Sequence, residues 1–159
     1  MTSFSNVQAA FRTLNIIYGA LFLALIVFLV AASLLVSNSG FLLAPDPGLF
    51  YVLKGVAIGF TILMLPLAWG LPQKMINRIE PDLSLEQKMM KYQNALIVRF
   101  SMAEGVGFLA TIIFMLTGDT NLMLVLAIIL LFYIMSRPTI FKVAADLKLS
   151  EQEKQQLII

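Results

Sequence analysis

The sequence predicts an all-α integral membrane protein: a four-helix bundle with both termini cytoplasmic and short amphipathic segments at the cytoplasmic face. Three observations predict it. Hydrophobic residues make up 60% of the 159 and charged residues 13%, against roughly 45–50% and about 25% in soluble domains. With a mean hydropathy of +0.91, a water-soluble fold of this size has no way to cover its apolar surface, so lipid is the solvent for most of it. Charge-free stretches also recur at lengths that suit a bilayer, and lysine and arginine gather in alternate loops.

The first charge-free stretch separates Arg12 from Asp46, and its run from Ile16 to Val36 is almost wholly apolar. The second runs from Gly55 to Gln73. The third, Phe100 to Gly118, is interrupted only by Glu104, and the fourth runs from Thr120 to Ser136. A spanning helix needs about 20 residues, with a range of about 17–25. The expected helices cover about 16–36, 50–71, 97–117 and 120–136, in a single transmembrane domain over residues 1–159. The first helix exceeds a signal peptide's apolar core of about 7–15 residues, and Ser37-Asn38-Ser39-Gly40 after it reads as a turn. It is expected to be an anchor.

Ten of the eleven basic residues fall on one side of this arrangement. Arg12 precedes helix 1; Lys74, Arg78, Lys88, Lys91 and Arg99 lie between helices 2 and 3 or at the start of helix 3; Arg137, Lys142, Lys148 and Lys154 follow helix 4. The opposite loops carry only Asp46 and Asp119. The positive-inside rule then puts both termini and the central loop in the cytoplasm.

Several cytoplasmic pieces have local signals. Phe4, Val7, Phe11 and Leu14 recur at helical spacing and suggest a short helix lying at the membrane surface. Ser84 precedes Gln87 by three residues, a capping-box spacing, so helix 3 is expected to extend back to about residue 85. Arg137-Pro138 marks a bend. Ser150 and Glu153 offer a second capping box, for a tail helix ending in Leu157, Ile158 and Ile159. In helix 2, Pro66 predicts a kink and Pro72 the end. Trp69 and Tyr92 near the inner interface, with Tyr51 near the outer one, suit an aromatic belt.

The absence of cysteine excludes disulfides, thiol redox chemistry and thiolate metal sites. The absence of histidine removes the commonest general base and the usual axial ligand of haem b. No clustered acid, base or nucleophile remains, and no cofactor is expected. The net charge of +2 arises from interleaved acidic and basic residues, which points to topology and away from nucleic acid. The nine methionines are scattered and read as packing.

Glu104 is the residue that carries the most chemistry. An ionisable group inside a span is costly and faces the bundle interior. One reading makes it a proton- or cation-binding carboxylate. The other makes it a protonated or paired glutamate bonded to Tyr18, Asn15, Tyr133 or an arginine; no second buried carboxylate offers a relay. Lys54 lies too far toward the outer end to pair with it. Arg99, about 140° around the helix from Glu104, is expected to reach phospholipid head groups or an acceptor on another helix, and Arg137 has the same two options. Ser101 with Gly105, and Ala103 with Gly107, are small-x-x-x-small pairs that allow close helix approach.

Four familiar four-helix families differ at the residues that define them. A V-type rotor subunit has a glycine-rich helix and a mid-membrane carboxylate, whereas helix 1 here holds only Gly19 and Glu104 lies near the cytoplasmic end. Small multidrug exporters carry their glutamate in the first helix; thiol oxidases need cysteine; di-haem cytochromes need histidine. By contrast, Arg99-x4-Glu104-Gly105, Arg137-Pro138-Thr139 and Asp146-Leu147-Lys148-Leu149 resemble a family of small bacterial four-helix membrane proteins without assigned function. That resemblance covers the second half of the chain and implies the topology, with no activity.

The resulting expectation is a non-enzymatic, multi-pass protein of the cell inner membrane that acts by association in the lipid bilayer. Its protein partner is a second copy or a larger complex. The alternative is a small ion- or proton-coupled transport component using Glu104.

Overall fold

The computed structural model describes residues 2–40, 42 and 46–158. The side chains of Phe4 and Ile158, and the whole of Ile159, lie outside the described residues. The fold is all-α: α1 Thr2–Ser39, α2 Pro47–Asn77, α3 Leu85–Thr117, α4 Leu122–Ser136, α5 Ile140–Asp146 and α6 Glu151–Ile158.

α1 corrects the expectation of a separate surface segment. It is a single helix of 38 residues, because no proline interrupts it and the two apolar stripes are in phase. Val7, Leu14, Tyr18, Leu25 and Ala32 are all buried. Their spacing of seven and four residues is the seam of a helix packed along a neighbour, here α3. Gly40, at φ +75°, donates its N–H to the Val36 carbonyl and closes the helix, the left-handed ending that glycine adopts freely.

α2 begins at an Asp46 cap, whose carboxylate accepts from Gly48 and Leu49 N–H at 2.9 and 3.3 Å, with Pro47 in the first turn. It does not stop at Pro72. The helix passes through both Pro66 and Pro72 to Asn77. A proline removes one ladder hydrogen bond, but an apolar surrounding offers the other backbone groups no partner except the helix itself.

α3 starts with the expected capping box, Ser84 with Gln87, and runs 33 residues to Gly118, a left-handed C-cap at φ 65°. It is the central helix. Half of its apolar window is buried (50%), against 11% for α1 and for α2, and α1, α2 and α4 all pack against it.

α4 is shorter than expected, 15 residues or about 22 Å at 1.5 Å per residue. Asp119 takes the Asn121 backbone and side-chain N–H groups at 2.9 and 2.7 Å, a turn that delays the helix start. At the other end Pro138 disfavours helical geometry at Arg137, whose ψ is 127°. Thr139 then caps α5 by accepting the Lys142 N–H, and α5 leaves at 76° to α4. Among the described residues, three helices, α1 to α3, are therefore long and apolar enough to cross a membrane; α4 qualifies only when taken together with α5 as a broken span.

The start of α1, the α2–α3 turn, α5 and α6 gather at one end. α6 packs on α1 and carries the expected second capping box, Glu153 accepting from the Ser150 N–H at 2.8 Å and returning its own N–H to Ser150 Oγ at 3.3 Å. Lys88 ties this helix to α3 through Glu153 Oε1 at 3.1 Å.

Candidate functional site

Polar groups buried in an apolar bundle are expected to find hydrogen-bond partners, and the partners show which helices the site joins. On α3, Arg99 is only 5% exposed. Of its two expected destinations, the acceptor on another helix is the one it reaches. Its Nη2 donates to Gln73 Oε1 on α2 at 3.1 Å, and its guanidinium lies over the Trp69 ring at 4.6 Å. Gln73 and Trp69 are one turn apart on α2 and present acceptor and π-face together. Among the described residues Arg99 Nε has no hydrogen-bond partner.

On the other flank of α3, two tyrosines link three helices. Tyr133 on α4 donates its hydroxyl to the Phe100 carbonyl at 2.8 Å. Tyr18 on α1 donates to the Tyr133 carbonyl at 3.2 Å. The Tyr18 ring meets Phe100 at 5.2 Å between centroids, so the hydrogen bonds run through an aromatic core.

Glu104 stands one turn beyond Phe100 and is partly buried. The expected bonds to Tyr18, Asn15, Tyr133 or an arginine are not made. Each candidate is engaged elsewhere: the tyrosines as above, Asn15 Nδ2 with the Phe11 carbonyl at 3.0 Å, and Arg99 on the α2 side. No hydrogen bond or ion pair holds the Glu104 carboxyl among the described residues.

The two small-residue pairs separate. Ala103 and Gly107 are buried, and a Cβ on Gly107 would meet Leu25 Cδ1 at 2.6 Å. Ser101 and Gly105 are exposed, and Gly105 has nothing within 4 Å of its Cβ position. The reason is rotational: Gly105 and Gly107 are about 200° apart around a helix, so one face excludes the other. Arg137 is exposed and lines a groove with Asn15, Tyr18, Gly19, Phe22 and Ile134.

Other polar pairs have no counterpart in the sequence reading. Tyr92 is buried rather than belt-forming, donating its hydroxyl to Asp146 Oδ2 at 3.0 Å. At the opposite end of the bundle Lys54 pairs with Asp119 at 2.8 Å, and the ammonium donating to Asp119 holds its carboxyl below the usual carboxylate range. Gln73 was hidden by ending α2 at Pro72. Its signal was position, an amide at the inner edge of an uncharged stretch where α3 carries Arg99.

The constellation locks helices together and sets no nucleophile beside a base. Among the described residues no group of three or more Asp and Glu is placed to hold a metal ion. Compared with family models, with curated proteins and with solved structures, the chain matches none.

Proposed function

We propose that this chain is a multi-pass protein of a cell inner membrane that acts by association, as a homo-oligomer or as an accessory subunit of a larger membrane complex, without enzymatic activity. α1, α2, α3 and the broken α4–α5 pair would make four spans. The ten basic residues around the end where α1 begins and α5 and α6 pack support cytoplasmic termini. The likeness to small bacterial four-helix membrane proteins of unassigned function belongs with this reading.

One observation carries it. Gly55 and Gly59 on α2 form a Gly-x-x-x-Gly pair on the side opposite the buried Ala57, Thr61 and Ala68. Among the described residues, nothing beyond its own helix backbone lies within 4 Å of either Cβ position. A helix-interior glycine costs about 1 kcal/mol relative to alanine, and in lipid such a pair lets another helix approach closely. Gly107 shows what a glycine does in this bundle when a partner helix is present. The test is mass in mild detergent or nanodiscs. The parent should run as a multiple of 17.6 kDa or with a stoichiometric partner chain, and Gly55→Leu with Gly59→Leu should abolish that. A parent of single-chain mass with no partner would overturn the reading.

A second reading has its own observation. Glu104, partly buried and without a bonded partner among the described residues, is free to take up a proton or cation, which supports a small ion- or proton-coupled transport component.

A further inference from the structure

The groove between α1 and α4 differs from the rest of the apolar surface. Its volume is about 430 Å³. Its floor is the stacked pair Tyr18 and Phe22, 6.0 Å apart and 6° from parallel, and both rings lean on Tyr133. Gly19 keeps it open, with nothing within 4 Å of its Cβ position. No acidic side chain is among the described residues that line it.

Arg137 is the charge in this groove, and none of the salt bridges among the described residues includes it. It stands where α4 ends and the chain turns at Pro138, the depth at which the apolar stretch gives way to polar sequence. Lys142 Nζ donates to the Met135 carbonyl at the same helix end. Arg12 precedes Gly19 by seven residues, so it shares the groove's face of α1 to within about 20° and lies about 10 Å nearer the N-terminus. Exposed aliphatic side chains flank the opening: Ile16, Leu23, Ile134 and Met135 are 58–61% exposed. A guanidinium forks onto two phosphate oxygens, and basic pockets between spanning helices take anionic head groups.

We propose that this groove is a binding site for an anionic phospholipid, with Arg137 on the phosphate, Arg12 at the mouth and the acyl chains along the aliphatic flanks of α1 and α4. The proposal rests on the membrane reading above. The probe is the full chain in vesicles and nanodiscs of phosphatidylcholine with phosphatidylglycerol, and the readout is the ratio of the two lipids retained in native mass spectrometry. The parent should retain phosphatidylglycerol preferentially. Arg137→Gln should lower that preference about fivefold, the worth of one basic residue at an anionic surface. Gly19→Leu fills the groove with every charge intact and should lower it as well. Lys74→Gln, outside the groove, should lower it less than Arg137→Gln does.

Equal preference in the parent and Arg137→Gln, or an equal loss in Lys74→Gln, would overturn the site in favour of diffuse attraction. Should Arg137→Gln fail to fold, parent-like retention by Gly19→Leu would overturn it alone. Displacement of the lipid by millimolar inorganic phosphate would overturn the commitment to a lipid. A chain that does not float with vesicles would instead bring down the membrane reading itself.

Discussion

Leu25 of α1 fills the space that a side chain on Gly107 of α3 would need, with its Cδ1 and Cδ2 atoms 2.6 and 2.9 Å from the Cβ position. Both residues are buried, Leu25 at 1% exposure, so Leu25 has little room to withdraw.

Gly107→Ala is therefore expected to destabilise, the cost of about 1–3 kcal/mol for overpacking a core outweighing the about 0.5–1 kcal/mol that alanine brings to a helix. Gly105→Ala, two residues away on the open face, should gain about 0.5–1 kcal/mol from the better helix former. Thermal unfolding in one detergent compares them, and equal shifts would show that α1 does not pack where it is placed.

The three long apolar helices were legible because hydropathy is a property of each stretch by itself, and the caps at Ser84–Gln87 and Ser150–Glu153 because three-residue spacings are local. The bonds from Arg99 to Gln73, Tyr92 to Asp146 and Lys54 to Asp119 were not legible. Each depends on the rotation and register of two elements, which no single stretch encodes. Pro72 misled because its helix-breaking rule assumes that water satisfies the freed groups. The choice between Gly105 and Gly107 needed the position of α1, which the alternatives left open.

Arg99 and Gln73 give a second prediction. Gln73→Leu leaves a buried guanidinium with one donor less satisfied and should cost about 1–3 kcal/mol. Adding Arg99→Met removes the buried charge and should recover most of that loss, since apolar replacement of a buried polar pair is often close to neutral. Arg99→Lys should be worse than Arg99→Met, because an ammonium cannot both donate to Gln73 and lie flat on Trp69. Denaturation in detergent of the singles and the double checks the cycle; a double mutant as unstable as the sum of its singles would deny the coupling.

The Lys54–Asp119 pair sets a pH dependence. The folded pKa of Asp119 is lowered, chiefly by the hydrogen bond from Lys54. A lowered carboxylate pKa means stability that is fully present above the unfolded value, about 3.9, and lost as pH falls through the folded value. Lys54→Met should flatten the melting-temperature profile below about pH 4, where an unfolded Asp begins to protonate, with the two proteins converging at the acid end. The pair is partly exposed, at 29% and 22%, so added salt should shrink the difference.

Topology gives a fourth prediction. A cytoplasm-active reporter fused after Ile159 should report activity, and a periplasm-active one inserted near Ser39 or Asp119 should do the same, from the basic asymmetry of the loops. The opposite pattern would invert the orientation, whereas Asp119 and Ile159 reporting from the same side would mean that α4 and α5 fail to act as one span.

Glu104 decides between association and transport. Its carboxyl has no bonded partner among the described residues, so Glu104→Gln removes a titratable group without breaking a hydrogen bond, and it should fold and assemble like the parent. Glu104→Leu should do nearly as well, losing less than the approximately 1–2 kcal/mol that an interhelical hydrogen bond carries in membranes. A loss larger than that would reveal a bonded, structural glutamate. Flux separates the rest. If Glu104 moves protons or cations, the parent in proteoliposomes should show a pH-driven flux that Glu104→Gln abolishes, because an amide cannot titrate. A flux present in the parent and absent in a folded glutamine form would displace association as the leading reading. No flux from the parent, with all three forms assembling alike, would remove transport's support and leave Glu104 as an unbonded carboxyl that the bundle tolerates.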